Sequence, residues 1–460
     1  MSDQPQSVHE DAETSVSLRV HFFGLFAGPT AALAVFALLQ LFARSLNPMA
    51  AVTAAVGTLM AIWWMTEAVP LAITSLLPLV LFPLAGVMPL EKAAASYAEK
   101  NIFLFMGGFM IALAVERWNL HRRIALLTVL AVGTRPDRLI GGIMAATAGI
   151  SMWISNTATA AMMLPIGLSL VSLLREHLID LHRSPIDGAG GRGALDTGAR
   201  GAGVSDGSSS GASSSEFEQG ERAAKAFATC VMLGIAYSAN IGGLGTLVGT
   251  PTNVALAGFA SKQGISIGFG AWMAMGVPLV VVYVFCTWLI LTKRLFPIPV
   301  RELQGGRELI RKELTALGRL SRGEITVMIV FGLTAALWVL REPLEKWKAL
   351  VAIAPAVGRL DDAIIAMSGA IILFLVPVNG AKRIYALDWA TASKLPWGVL
   401  LLFGGGFAFT AAMTNSGLTE WLGQQISALS GMPPWVVVVA SVTIVIFTTE
   451  LTSNTPTILA

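Results

Sequence analysis

Cysteine and charge are both scarce in this 460-residue chain. The two cysteines, Cys230 and Cys286, lie in apolar runs and give no disulfide framework. Charged residues make up 13% of the sequence, hydrophobic residues make up 55%, and the mean hydropathy is +0.70. A soluble globular domain has about 25% charged residues. The composition therefore predicts a polytopic membrane protein, with membrane lipid as a partner and without a nucleic-acid partner.

Histidine is also rare, and none of the five histidines lies in the middle of an apolar run. A membrane-embedded metalloenzyme needs intramembrane ligands at fixed spacing, and this sequence has none. We therefore expect no catalytic residues and no resident cofactor. Residues 1–18 lack the basic start of a signal peptide and are interpreted as a polar cytoplasmic tail.

Charged side chains are absent from Leu139 to Leu174. A single helix of that length would measure roughly 54 Å, whereas the hydrocarbon core of a bilayer is about 30 Å thick. The stretch 139–174 is therefore predicted to fold back as a re-entrant hairpin, with its turn at Asn156 and Thr157. Irregular backbone at membrane depth is tolerated only where it is buried in protein or lines a water-filled cavity, so the turn is itself a candidate site.

The motif at the turn occurs twice. Ser155-Asn156-Thr157 returns 298 positions later as Ser453-Asn454-Thr455. The same offset relates Phe105, Gly107, Gly108, Phe109 and Pro136 to Phe403, Gly405, Gly406, Phe407 and Pro434, and relates Ser151 to Thr449. This register predicts an internally duplicated secondary transporter, in which broken helices form substrate and ion sites at the repeat interface.

A third polar cluster interrupts the apolar run that begins at Ala224. Between Asn240 and Asn253 stand four glycines and Pro251. Such a break frees carbonyl groups that can bind a cation, and it exposes a helix N-terminus that favours an anion. Close helix packing is the alternative for the glycines at 242, 243 and 245. For Gly249 and Thr250 the polar residues that follow favour ligand binding.

These signals divide the chain into a polar cytoplasmic tail 1–18, a first transmembrane helix 19–48, repeat 1 at 49–292, a cytoplasmic interfacial linker 293–322 and repeat 2 at 323–460. Repeat 1 contains the hairpin 139–174, a Gly/Ser-rich loop 184–222 that we expect to be disordered, and a broken helix 224–260. Repeat 2 is expected to be truncated after the second hairpin turn. A cytoplasmic N-terminus places most of the 31 Lys and Arg inside, and the repeats then have opposite orientation.

At both Ser-Asn-Thr turns and at Gly249-Thr250-Pro251, the sequence resembles the divalent anion/sodium symporter family, which includes bacterial dicarboxylate transporters and the solute carrier 13 group. The resemblance implies an all-α polytopic membrane protein, an inverted-repeat elevator-type secondary transporter with two re-entrant hairpins and broken helices. It also implies a homodimer in the cell inner (plasma) membrane. The implied function is sodium-coupled symport of small dicarboxylates such as succinate, malate and fumarate. The alternatives are a dicarboxylate exchanger of the same fold and a sulfate or tricarboxylate transporter.

The resemblance also implies a set of site residues. One sodium ion would be held by Ser151, Asn156 and the carbonyl groups of Ser155 and Gly249, and a second by Thr449, Asn454 and the carbonyl group of Thr452. The dicarboxylate would contact Asn156, Thr157, Thr250, Ser453, Asn454 and Thr455. The apolar sequence around the turns agrees with this expectation, because it offers no Lys or Arg to neutralise a dianion. Bound cations and helix N-termini would have to do so.

Overall fold

The computed structural model describes residues 6–43, 46–133, 135–183, 210–297, 306–427 and 433–451. Within these ranges, eight helices are long and apolar enough to cross a membrane: Phe22–Phe42, Pro48–Thr66, Leu90–Arg117, Asn156–Arg175, Glu221–Gly243, Phe269–Leu295, Arg322–Lys346 and Trp397–Ser416. The protein is therefore an all-α polytopic membrane protein: composition predicted the membrane class, and the family resemblance implied the all-α fold.

In chain order, the elements of the first half are α1 Gln6–Phe42, α2 Pro48–Thr66, α3 Leu71–Thr74, α4 Leu77–Leu84, α5 Leu90–Ala95, α6 Lys100–Arg117, α7 Leu120–Val132, α8 Pro136–Ser151, α9 Asn156–Arg183, α10 Ser210–Gly243, α11 Pro251–Lys262 and α12 Phe269–Leu289. Those of the second half are α13 Gly306–Ala316, α14 Arg322–Lys346, α15 Lys348–Ile353, α16 Asp362–Leu375, β1 Pro377–Asn379, β2 Ile384–Tyr385, α17 Trp389–Ala392, α18 Trp397–Ser416, α19 Leu418–Ser427 and α20 Pro434–Leu451. The two short antiparallel strands form the one sheet in the described ranges.

The first helix begins and ends earlier than the boundaries 1–18 and 19–48 predicted. Helix α1 already starts at Gln6, directly after Pro5, and its part that is apolar enough to span a membrane begins at Phe22. It ends at Phe42, before the residues that start helix α2. The side chain of Asn47 accepts a hydrogen bond from the Met49 N–H at 2.9 Å, and Pro48 occupies the first position of α2.

The apolar residues from Leu71 to Leu84 do not form one continuous helix. The structure has two short helices, α3 and α4, interrupted at Ser75 and Leu76. The apolar helical stretch Leu71–Leu84 is roughly 21 Å long, which is too short for a hydrocarbon core of about 30 Å. Composition alone could not reveal this interruption.

Two helical arms occupy the stretch predicted as a hairpin. The first arm, α8, ends at Ser151, and the second arm, α9, begins at Asn156. The turn therefore consists of residues 152–155, and Asn156 and Thr157 open the second arm instead of forming the turn. Both arms pack against α10: a Cβ atom at Gly234 would meet Met144 of α8, and a Cβ atom at Gly167 of α9 would meet Ile235.

The loop predicted to be disordered at 184–222 is partly helical. Residues 184–209 lie outside the described ranges, but α10 is already helical from Ser210. The segment just before the apolar span contains good helix formers, and Lys225 lies 3.1 Å from Glu221 one turn earlier. The helix thus extends outward from the span. Downstream, α10 ends at Gly243 and α11 begins at Pro251, so the predicted broken helix 224–260 is interrupted at residues 244–250.

Helix α13 lies within the predicted linker 293–322 and packs on α7. Its Ile310 is buried, and Glu313 Oε2 lies 2.6 Å from Arg122 Nη2. The next residue of α7, Arg123, forms a buried ion pair of 2.6 Å with Glu324 at the start of α14. The linker therefore packs against α7, the helix that precedes the hairpin, and forms an ion pair with it.

The internal duplication reappears in the elements. Helices α7 and α19 begin at Leu120 and Leu418, and α8 and α20 begin at Pro136 and Pro434, so both pairs keep the offset of the sequence repeat. The rings of Phe105 in α6 and Phe403 in α18, which are equivalent positions, lie 5.4 Å apart. Both side chains are fully buried in the main hydrophobic core. The two halves thus meet through equivalent residues.

Candidate binding site at the hairpin and the broken helix

Three oxygen atoms converge at Ser151, the last residue of α8. Its side chain is fully buried, and its Oγ lies 2.6 Å from the carbonyl oxygen of Ala239 and 2.9 Å from Asn156 Oδ1. A serine hydroxyl has one proton, which it can donate to only one of these acceptors at a time. The cluster is therefore rich in lone pairs, which is the property that a bound cation requires.

Asn156 connects this cluster to the other helices. Its Oδ1 faces Ser151, and its Nδ2 donates to Asn240 Oδ1 at 3.3 Å. Gly243 lies directly over the amide, because a Cβ atom there would stand 2.5 Å from Asn156 Oδ1. The first residue of α9 is therefore held between the end of α8 and the last turns of α10, where an amide can present oxygen and nitrogen to different neighbours.

The glycines of the break mainly allow close packing. A Cβ atom at Gly242 would overlap the backbone of Ala148, and one at Gly245 would lie 2.8 Å from Met152 Cγ. Gly243 likewise packs against Asn156. Of the two interpretations that the sequence left open for these three glycines, close helix packing is therefore the one that the contacts favour. Side chains at these positions would push the hairpin away from α10.

Several carbonyl groups freed by the break are already bonded within the protein. The buried Asn253 donates its Nδ2 to the carbonyl oxygens of Gly243 and Thr246, at 2.8 and 2.7 Å. Trp272 Nε1 donates to Leu244 O at 2.9 Å, and the Thr246 hydroxyl donates to Met152 O in the hairpin turn. These contacts hold the break in one shape and tie it to the hairpin.

Gly249 and Thr250 lie where the break meets the hairpin turn. A Cβ atom at Gly249 would stand 2.5 Å from Gly243 O and 3.0 Å from Met152 O, so glycine alone fits there. Thr250 is the N-cap residue of α11, yet its side chain makes no capping hydrogen bond. The hydroxyl of Thr250 thus does not cap its own helix, and it lies next to the N-terminal N–H groups of α11.

The remaining predicted residues of the first turn are placed at the start of α9. The carbonyl of Ser155 accepts from Thr159 N at 2.9 Å, which leaves its second lone pair, and the side chain of Thr157 is exposed. The structure brings Ser151, Ser155, Asn156 and Gly249 to one region of the hairpin and break.

The second half of the predicted site is described only at Thr449. Its hydroxyl donates to Ile446 O of its own helix at 2.9 Å, unlike that of Ser151, which reaches across to α10. Thr452, Ser453, Asn454 and Thr455 lie outside the described residues.

Four neighbours of the candidate site were not among the predicted site residues: Ala239, Asn240, Thr246 and Asn253. Asn240 and Asn253 stand at the two ends of the glycine-rich segment, and this position was the only signal that could have singled them out. The role of Ala239 depends on a main-chain carbonyl group, which residue identity does not mark.

Comparisons with known proteins agree with the fold and the motifs. The family model described as sodium:sulfate symporter transmembrane region matches residues 24–460. The sodium-dependent dicarboxylate transporter SdcS of Staphylococcus saprophyticus is 39% identical over 436 residues, which cover 94% of this chain and 75% of the relative. SdcS of Staphylococcus aureus strain USA300 is 37% identical over 400 residues, which cover 86% of this chain and 68% of the relative. The chain therefore belongs to the sodium:sulfate symporter family, a family of membrane transporters.

Proposed function

We propose that this protein is a sodium-coupled symporter of small dicarboxylates such as succinate, malate and fumarate. The main support is the cluster of Ser151 Oγ, Asn156 Oδ1 and Ala239 O where the hairpin meets the broken helix. The Ser151 hydroxyl supplies the single proton for these three oxygen atoms. The names of the relatives, sodium-dependent dicarboxylate transporters, support the same substrates. The protein belongs to the transporters of the cell inner (plasma) membrane in this proposal, with its N-terminus in the cytoplasm.

One sodium ion binds at the first hairpin turn in this proposal, through Ser151, Asn156 and the carbonyl groups of Ser155 and Gly249. The carbonyl of Ala239 is a further candidate ligand, since it lies 2.6 Å from Ser151 Oγ. All of these ligands are neutral oxygen atoms, which suits a monovalent hard cation that leaves again in each transport cycle. By the sequence repeat, Thr449, Asn454 and the carbonyl of Thr452 hold a second sodium ion.

The dicarboxylate binds between the two turns, in contact with Asn156, Thr157, Thr250, Ser453, Asn454 and Thr455. Neither Lys nor Arg occurs from Leu139 to Leu174, so a cationic side chain of the hairpin does not neutralise it. Its charge is balanced by the bound sodium ions and by the N-termini of α9 and α11, which carry partial positive charge. Cation and anion then favour each other's binding, which is the coupling that a symporter needs.

Transport proceeds by an elevator movement of the hairpins in a homodimer, in this proposal. The hairpin turn has a contact that such a movement would break. The ring of Trp153 lies 6.2 Å from Trp338 and 4.9 Å from Phe331, both in α14, and 6.0 Å from Phe269 in α12. These aromatic contacts hold the turn against α14 in the conformation described.

The experiment is uptake of radiolabelled succinate into proteoliposomes with and without an inward sodium gradient. We expect the gradient to drive accumulation. Uptake that ignores sodium but accelerates with dicarboxylate on the opposite side would replace the symporter with an exchanger. Sulfate, which the description of the family model names, is tested in parallel. Sodium-driven uptake of sulfate without uptake of succinate would overturn the dicarboxylate assignment.

A further inference from the structure

A groove of about 450 Å³ runs between α8, the first hairpin arm, and α12. Helix α12 belongs to a membrane-spanning segment, and its groove residues Val281 and Phe285 are 61% and 55% exposed. In a membrane protein, large apolar side chains exposed on a spanning helix face the hydrocarbon. The groove therefore opens towards the acyl chains of the bilayer.

Each wall of the groove is one stripe of a helix. On α8 the stripe consists of Arg138, Gly141, Ala145, Ala148 and Gly149 and is continued by Met152, the C-cap residue, and on α12 it consists of Val280, Val281, Val284, Phe285 and Trp288. These spacings of three and four residues place each set on one helix face. From Arg138 to Met152 the helix rises roughly 21 Å, whereas half of the hydrocarbon core is about 15 Å thick. The groove thus spans the depth of one leaflet.

Small residues occupy the middle of the α8 wall. Ala145 and Gly149 are exposed, and a Cβ atom at Gly149 would have nothing within 4 Å. At the polar end α8 approaches α12 more closely, since a Cβ atom at Gly141 would lie 3.0 Å from Trp288 Nε1. The open part of the groove is therefore its apolar part, and the polar end is narrow.

The narrow end carries positive charge. Arg138 is exposed there, and Lys293 and Arg135 lie 3.2 and 3.5 Å from Asp137, so three basic side chains accompany one carboxylate. Trp288 donates its Nε1–H to the carbonyl oxygen of Asp137 at 2.7 Å, a position typical of tryptophan at the membrane–water interface. An amphiphile with an anionic head and an apolar tail matches this distribution.

We propose that the groove binds one acyl chain of an anionic phospholipid, whose headgroup phosphate pairs with Arg138. Basic side chains at the interface select anionic lipids through charge, and the apolar stripe accommodates the chain. The bound lipid lies on the outer face of the hairpin arm whose last residue is Ser151. It therefore stabilises that arm in the position described, independently of the ion or anion transported.

The test is the thermal stability of the full chain in neutral detergent, with added phosphatidylglycerol or phosphatidylcholine, together with a count of bound lipids by native mass spectrometry. We expect phosphatidylglycerol to raise the Tm by several degrees and phosphatidylcholine to raise it less. Arg138→Gln should remove that difference. Gly149→Leu, whose side chain enters open space, should remove the bound lipid. Arg319→Gln, at an exposed arginine of the linker region, is the matched control and should behave as wild type.

Equal effects of the two lipids would overturn the role of Arg138, and wild-type lipid counts in Gly149→Leu would overturn the groove as the site. Ala145→Leu fills the groove from the neighbouring turn and replaces Gly149→Leu if that variant does not fold. Loss of a dimer with unchanged lipid counts in either variant would assign the groove to a second copy of the chain, and the lipid proposal would then be wrong.

Discussion

Ser151 Oγ lies 2.9 Å from Asn156 Oδ1, although four residues of turn separate the two helices to which they belong. The last residue of one hairpin arm thus faces the first residue of the other. The same hydroxyl is 2.6 Å from Ala239 O in α10, so three helices meet at one buried polar point. The predicted consequences of altering this point differ for each residue.

Ser151→Ala should raise the sodium concentration for half-maximal succinate uptake and leave the maximal rate near that of wild type. The substitution removes one oxygen from the proposed cation site but none from the substrate site. Sodium titrations of uptake in proteoliposomes measure the effect. Ser172→Ala is the control, because that hydroxyl donates to Ser169 O within its own helix. An unchanged sodium titration for Ser151→Ala would remove Ser151 from the cation site.

Asn156→Ala should weaken sodium and succinate binding together, since the amide is proposed to face both. Coupling between two sites is typically worth about 1–3 kcal/mol, or roughly 5–150-fold in affinity. Asn156→Asp should be worse for succinate, because it sets a negative charge against a carboxylate at a poorly hydrated position. Uptake measured against both concentrations tests this. Wild-type behaviour of Asn156→Ala would mean that the start of the second hairpin arm is not the site.

Gly243→Ala should impair transport as strongly as Asn156→Ala while the protein still folds. The added Cβ atom would stand 2.5 Å from Asn156 Oδ1 and would displace that amide. A lost hydrogen bond at a buried site costs about 1–3 kcal/mol, which corresponds to a reduction in binding on the order of tenfold or more. Gly332→Ala is the control, since a Cβ atom there has nothing within 4 Å. Normal uptake by Gly243→Ala would show that the amide position is not critical.

The neighbouring arginines of α7 should differ in their contribution to stability. Arg123 and Glu324 have side chains 10% and 6% exposed, and Arg123 also donates to Gly318 O at 3.1 Å. Arg123→Ala leaves Glu324 buried without its partner, which typically costs about 3–5 kcal/mol. Arg122→Ala breaks an ion pair with side chains 44% and 35% exposed, worth about 0–1 kcal/mol. Thermal unfolding of Arg123→Ala and Arg122→Ala in detergent measures the two effects. An equal loss of Tm in both variants would contradict the larger contribution of Arg123.

Much of the architecture was legible in the sequence because it depends on composition and periodicity. Hydrophobic content and the charge-free stretch 139–174 predicted membrane spans and two helical arms, and both follow from the cost of burying charge in a bilayer. The repeat offset predicted which elements correspond, and α8 and α20 begin at equivalent prolines. The polar residues of the turn stood out because little else in that stretch can bind an ion.

What the sequence by itself determined was therefore the membrane class, the duplicated helix register and the identity of Ser151 and Asn156 as candidates. Only the tertiary structure decided their neighbours. Ala239 and Asn240 lie 88 and 84 residues away from their partners Ser151 and Asn156, and Gly243 reaches the amide through close packing of α10 on the hairpin. Counting apolar residues likewise did not predict the interruption of Leu71–Leu84 or the extension of α10 beyond its apolar span. The residue pattern of a segment predicts the local structure of that segment, whereas contacts between residues distant in sequence depend on how the helices pack together.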